Sequence, residues 1–285
     1  MNSSRNAPHL TPSPLRGGGW GRGHVIYNFE LLAPTTMIDP RTYSPAADAL
    51  KDRVILITGA SDGIGKAVAK SLAAHGARVI LHGRNVKRLE AVYDAIVAAG
   101  GLRPSIVPLD LEKAGPAEYE SLATAVEKEY GRLDGLLHNA GMLGERAPIE
   151  HYDVAKWMRT LHVNTNVPFI LTQRCLPLLK LSADPSIVFT TSGVVPRPRA
   201  YWGAYLVSKW ATEGLMKMLA DELETSPAMR VNSLNPGGVK TNMRLQAYPA
   251  EDRSQLKEAD AVVAPYLFLL GPDSKGITGR TFDCQ

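Results

Sequence analysis

Four consecutive apolar residues, Val54-Ile55-Leu56-Ile57, run directly into Thr58-Gly59-Ala60-Ser61-Asp62-Gly63-Ile64-Gly65, and a helical period begins at once, with Ile64, Val68 and Leu72 recurring four apart. A short, largely β-branched run of this kind suits a strand buried on both faces. Glycines at the turn let the backbone fold tightly and approach a ligand. The unpaired N–H groups at the start of the next helix then favour an anion, a pyrophosphate above all. Three glycines at such spacing are a weak signal alone; their position between a strand and a helix gives them meaning. Thr58, Gly59, Ser61, Gly63, Ile64 and Gly65 are the candidate contacts of this loop.

The strand-then-helix order continues along the chain. Apolar runs at Val54–Ile57, Val79–Leu81, Ser105–Leu109, Leu136–Leu137, Ile187–Thr190 and Arg230–Leu234 read as strands, with a last short one near Thr281, and helix-length segments separate them. Continuous apolar strands alternating with helices imply a parallel sheet covered on both sides. The expected fold is therefore α/β, a Rossmann-like, doubly wound three-layer sandwich around a parallel sheet of about seven strands. A chain of 285 residues, 45% of them apolar, can bury one such core. Residues 1 to about 45 have a different character, rich in Pro, Gly, Ser and Arg, with Gly17-Gly18-Gly19 in a row and no period. Such a segment buries too little apolar surface to offset its ordering entropy. It is expected to be a disordered, dispensable extension, with Met37 as a second start, and residues 46–285 to form a single domain.

Tyr205-Leu206-Val207-Ser208-Lys209 sets a phenol and an ammonium four apart, on one face of a helix whose period continues through Ala211, Leu215, Met218 and Leu219. A free tyrosine titrates near ~10, and a nearby cation stabilises the phenolate, so Lys209 is expected to lower the Tyr205 pKa towards neutrality. Ser192 stands 13 residues upstream, at the end of a strand, in Phe189-Thr190-Thr191-Ser192-Gly193; Thr191 is its neighbouring alternative.

Taken in order, the glycine loop after Thr58, Asn139-Ala140-Gly141, Ser192 and Tyr205-x-x-x-Lys209 resemble the short-chain dehydrogenase/reductase family over roughly residues 53 to 283. The resemblance implies hydride transfer between a nicotinamide dinucleotide and a small-molecule carbonyl or secondary alcohol. In that reading Ser192, Tyr205, Lys209 and Asn164 are catalytic. Ser192 and Tyr205 meet the substrate oxygen, Lys209 also touches the cofactor ribose, and Asn164, in His162-Val163-Asn164-Thr165, holds a water that relays protons to Lys209. Asp110 would contact the adenine ring, and Asn139, Ala140 and Gly141 would support the sheet and line the cofactor. Asn235-Pro236-Gly237, with Val239 and Thr241, would close over the nicotinamide. A catalytically silent, NAD(P)-binding sensor is the alternative, although it would have little use for all four catalytic groups together. The substrate lid expected from Gly238 to Glu258 is shorter than usual for the family, which implies an open pocket. Relatives pair two helices across a dimer. The segments Phe169–Leu179 and Ala211–Leu223 are apolar on more than one face, so a homodimer or homotetramer is expected.

Cofactor choice rests on the second strand, which ends Leu81-His82-Gly83-Arg84-Asn85. An acid at this point would bind the ribose 2′-hydroxyl of NAD. Gly83 stands there instead, followed by Arg84 as a candidate phosphate clamp with Lys87 and Arg88 nearby, which favours NADP over NAD. Asp62 opposes that choice unless it turns outward. Arg197, Arg199 and Arg244, near the expected pocket mouth, would suit an anionic substrate. The net charge of +4 is scattered among acids, without the basic runs of a nucleic-acid binder. Cys175 and Cys284 lie too far apart in sequence to suggest a metal site or disulfide framework, and no apolar run approaches the ~20 residues of a membrane span. No nucleic-acid, membrane or metal partner is expected, and the cytoplasm is the expected compartment.

Overall fold

The computed structural model describes residues 38–225 and 229–285. The expectation that residues 1–36 are disordered and dispensable lies outside the described residues. Residues 38–45, assigned by composition to the extension, belong to the body of the domain. Asp39 caps a single 3-10 turn over Pro40–Thr42. Tyr43 is buried, stacks edge-on against Phe268 and donates its hydroxyl to Asp273 at 2.8 Å. One aromatic side chain with a hydroxyl partner is enough to dock a segment whose composition lacks any period.

From there β1 (Val54–Thr58) leads through the glycine turn into α1 (Gly63–Ala74), then β2 (Arg78–Gly83), α2 (Val86–Ala98), β3 (Ser105–Pro108), α3 (Pro116–Tyr130) and β4 (Gly135–His138). The second half runs α4 (Val154–Leu161), a π-helical turn over His162–Asn166, α5 (Val167–Lys180), β5 (Ser186–Thr190), α6 (Gly203–Glu222), β6 (Arg230–Asn235), α7 (Asn242–Ala247), α8 (Ala264–Leu270) and β7 (Thr281–Asp283). The seven strands form one parallel sheet in the order β3-β2-β1-β4-β5-β6-β7.

Alternation along the strands divides the apolar side chains between two cores. Ile55, Ile57, Val79 and Leu81 pack with Val68 and Leu72 of α1, Leu89 and Val92 of α2, and Tyr266 to Leu270 of α8. On the opposite face Val54, Leu56, Ile80, Leu136 and Phe189 pack with Tyr119 and Leu122 of α3, Leu171 and Cys175 of α5, and Met216 and Leu219 of α6. This is the doubly wound three-layer sandwich. Strand order reverses between β1 and β4, and the carboxyl ends of the strands there open the crevice that a fold of this type uses for ligands.

Candidate functional site

A cleft of about 830 Å³ lies over those strand ends. At its first wall, the Thr58 hydroxyl donates to the Leu137 carbonyl at 3.1 Å and accepts the Asn139 and Ala140 amides at 3.0 and 3.1 Å. The Asn139 side chain donates to the Thr58 and Gly59 carbonyls, so the two residues clamp the ends of β1 and β4 together. Gly59 needs its left-handed φ of +69° for the turn. At Gly65 the demand is for space: a Cβ there would stand 2.3 Å from the Gly59 carbonyl oxygen and 2.5 Å from Asn139 Nδ2. Asp62 lines the cleft with both of its carboxylate oxygens engaged. One of its oxygens caps α1 through the Gly63 amide, and the other accepts Asn242 Nδ2 at 2.7 Å and pairs with Arg88 at 3.2 Å.

Beyond β2, Arg84 is exposed on the cleft wall without an ion pair or side-chain hydrogen bond among the described residues, and Arg88 lines the same wall. Lys87 does not. Thr58, Gly65 and Asp110 do not reach the cleft surface; Asp110 instead accepts the Glu112 amide in the turn after β3.

At the other end, Ser192 follows β5 and lines the cleft with Tyr205, its Oγ accepting the Val194 amide at 3.4 Å. Tyr205 and Lys209 project from α6 onto the same cleft wall. Lys209 is buried, and its ammonium donates to the Thr190 carbonyl at 2.7 Å, 5.7 Å from the centre of the Tyr205 ring. Burial raises the Tyr205 pKa above the usual tyrosine range, with the Ser192 hydroxyl pulling the other way. Burial likewise pulls Lys209 down to about 8, against the nearby Glu213 carboxylate. The expected lowering by Lys209 is not among the influences on Tyr205 in this arrangement. Four-residue spacing brings both side chains to one face, but the ammonium is committed to a backbone carbonyl and desolvation of the phenol prevails.

Asn164 sits in the π-helical turn between α4 and α5, a widening that often accompanies functional sites. Its Oδ1 accepts the Met142 amide at 2.8 Å, and its Nδ2 donates to the Met142 carbonyl and to Ser208 Oγ. It stands behind the cleft surface. A Cβ on Gly141 would lie 3.4 Å from Asn164 Oδ1 and 3.9 Å from Lys209 Nζ, so both groups face the space beneath Gly141. Pro236, Gly237, Val239 and Thr241 line the roof, and Gln285 Nε2 donates to the Pro236 and Gly238 carbonyls at 2.6 and 3.1 Å. The short lid that follows is pinned by side chains that the sequence does not reveal. The rings of Trp202 and Tyr248 pack on each other with centroids 5.8 Å apart, and the Arg146 guanidinium sits beside both, 5.1 and 5.2 Å from their centres, and donates to the Ala247 carbonyl. Arg244 covers Tyr248 at 4.0 Å and pairs with Glu251. The spacing of Trp202 from Tyr205 was the only local hint. Of the three arginines expected near the mouth, Arg244 is neutralised by Glu251, Arg199 donates to the Tyr248 hydroxyl, and Arg197 does not line the cleft.

The short chain dehydrogenase family model matches residues 53–252. The uncharacterised oxidoreductase YciK of Escherichia coli (strain K12) is 46% identical over 243 residues, covering 85% of this chain and 96% of the relative. A short chain dehydrogenase structure from Pseudomonas syringae superposes with a TM-score of 0.84 at 51% identity, covering 85% of this chain and 98% of its own. One from Shigella flexneri 2a str. 301, solved in complex with NADP, gives 0.82 at 46% identity, covering 84% and 100% respectively.

Proposed function

Because the chain belongs to the short chain dehydrogenase family, we propose that it is an NADP(H)-dependent oxidoreductase interconverting a carbonyl and a secondary alcohol. The carrying observation is one cleft with an anion-binding glycine turn and Arg84 at one end and Ser192, Tyr205 and Lys209 at the other. The chain's own groups fit the dinucleotide. Gly83 places no acid where one would oppose a 2′-phosphate, Arg84 is uncommitted, and the buried Thr191 hydroxyl in the cleft wall has no hydrogen-bond partner among the described residues. The NADP complex of the Shigella flexneri relative supports the same choice.

NADP(H), when bound, gives or takes the hydride at the carbonyl carbon. In reduction Tyr205 donates its proton to the substrate oxygen while the Ser192 hydroxyl donates a hydrogen bond to that oxygen. The raised pKa keeps Tyr205 protonated for this step at neutral pH. Lys209 then turns from Thr190 to the phenolate and the ribose, and stabilises the charge that Tyr205 acquires. Asn164 and Lys209, which both face the space beneath Gly141, hold the water through which Tyr205 regains its proton. Backbone amides of the glycine turn carry the pyrophosphate, and Asn139 and Thr58 keep the turn in place. Asp110 is assigned to the adenine end, Pro236 to Thr241 to the nicotinamide.

Phe169, Val207, Trp210 and Met218 are exposed on α5 and α6, whose opposite sides are buried. Such apolar surface supports a homodimer or homotetramer, which sedimentation at micromolar concentration tests. Among the described residues no helix is long and apolar enough to cross a membrane, and the cytoplasm is the proposed compartment. The functional reading is tested by following NADPH and NADH absorbance with a panel of ketones, aldehydes and alcohols. Turnover in the wild type should fall by ~10²–10⁴ in Tyr205→Phe, the worth of a positioned general acid, with NADPH affinity retained. Equal turnover in both proteins would overturn it.

A further inference from the structure

The substrate end of the cleft differs sharply in chemistry from the cofactor end. Leu143, Val194, Trp202, Tyr205 and Ala247 form one buried apolar cluster, with Met243 and Tyr248 of the lid packed against it. Leu143, Trp202, Met243 and Ala247 all line the cleft beside the Tyr205 phenol. Cations also surround this end, and each is already engaged. Lys156 pairs with Glu145 at 2.9 Å, Arg159 with Glu112 at 2.8 Å, and Arg244 with Glu251. Arg146 is held beside the Trp202–Tyr248 ring pair and donates to the Ala247 carbonyl. The uncommitted Arg84 follows β2, which lies three strands from β5 and the Ser192 that follows it in the sheet order, or about 14 Å at the usual strand spacing. A carboxylate entering this pocket would leave water and compete with Glu145, Glu112 and Glu251 for the lid and wall cations, and with the reacting oxygen for Lys209, while a polyol would lose hydrogen bonds against an apolar wall.

We propose that the substrate is an uncharged, ring-bearing carbonyl compound or its secondary alcohol, alicyclic or aryl, whose ring packs on Trp202 between Leu143, Met243 and Ala247. This inference rests on the oxidoreductase reading. The Arg146 guanidinium, beside the Trp202 and Tyr248 rings, is a positioning group that holds this wall and the lid together.

The test measures NADPH-dependent kcat/KM for cyclohexanone and acetophenone against a keto acid, phenylpyruvate, a ketose sugar and acetone. The neutral ring ketones should lead. In Trp202→Ala their kcat/KM should fall by about 10–100-fold, the scale of a lost ring contact, while acetone changes little. Met243→Lys, on the partly exposed lid, is a second variant that leaves the five buried members of the cluster unchanged in sequence. It should depress the ring ketones and raise phenylpyruvate relative to them. Preference of the wild type for phenylpyruvate or the sugar, or equal losses on ring ketones and acetone in Trp202→Ala, would overturn the substrate class while leaving the reductase standing. No turnover with any carbonyl compound, while NADPH still binds, would overturn both.

Discussion

The two ends of the cleft are built from different materials. The cofactor end is made of backbone: a glycine turn, strand ends clamped by Thr58 and Asn139, and the capped start of α1. The substrate end is made of side chains brought from distant segments, with Arg146, Trp202, Tyr248 and Arg244 stacked between the loop after β4, the start of α6 and the lid. A backbone-built site tolerates few changes at its glycines, because added atoms meet main chain that cannot move aside. A side-chain-built site can be retuned one residue at a time.

The chemistry between the two ends should show the largest effect. Lys209→Met should lower reductive turnover by ~10²–10⁴ and also weaken NADPH, since the charge that steadies the phenolate and the ribose is lost. The sign of the pH dependence follows from the two buried groups. Tyr205 has its pKa raised and stays protonated, whereas Lys209, pulled down to about 8, loses its proton first. Wild-type kcat/KM for reduction should therefore decline above about pH 8 as Lys209 deprotonates in the free enzyme. A pH profile that keeps this alkaline limb in Lys209→Met would assign it to another group.

Next in size is Arg84→Ala at the cofactor end. Loss of a charge-assisted contact worth ~1.5–3 kcal/mol should weaken NADPH by about 10–150-fold and leave NADH nearly unchanged. Titration showing equal loss of both cofactors would remove Arg84 from the phosphate site.

Gly65→Ala tests the claim that backbone builds this end. Its Cβ would meet the Gly59 carbonyl at 2.3 Å and Asn139 Nδ2 at 2.5 Å, so the clamp between β1 and β4 must open. A stability loss of about 1–3 kcal/mol by denaturant titration, together with weaker cofactor binding, is expected. An unchanged midpoint would mean the turn has slack that the structure does not show.

The smallest effect should come from Arg146→Ala, which removes two exposed cation–π contacts worth ~0.5–1 kcal/mol each. Substrate KM should rise about 5–30-fold through a loosened lid, with NADPH affinity unaltered. A parallel loss of NADPH affinity would show that the two ends are mechanically coupled, most directly through the Asp62 to Asn242 hydrogen bond that joins glycine turn and lid.

Legibility in the sequence follows the same division. The sheet, the glycine turn and the meeting of Tyr205 with Lys209 on one helix face are written in local periods, because alternation of two and repeats near four are dictated by backbone geometry. Residues 38–45 escaped that reading because Tyr43 docks by one ring and one hydroxyl, without a period to announce it. Asn164 was legible as a residue but not as a π-helical turn, since the widened backbone depends on what Met142 and Ser208 offer its side chain.

By itself, then, the sequence determined the doubly wound α/β fold, the glycine turn and the placing of Ser192, Tyr205 and Lys209 along their own elements, since these depend on contacts close in the chain. Tertiary structure alone decided which charges remain free and which way Lys209 points. Glu251, Glu145 and Glu112 neutralise the cations at the substrate end from other segments, and Thr190 captures the ammonium from the neighbouring strand. Burial, which only packing can set, then determines which of Tyr205 and Lys209 gives up its proton first.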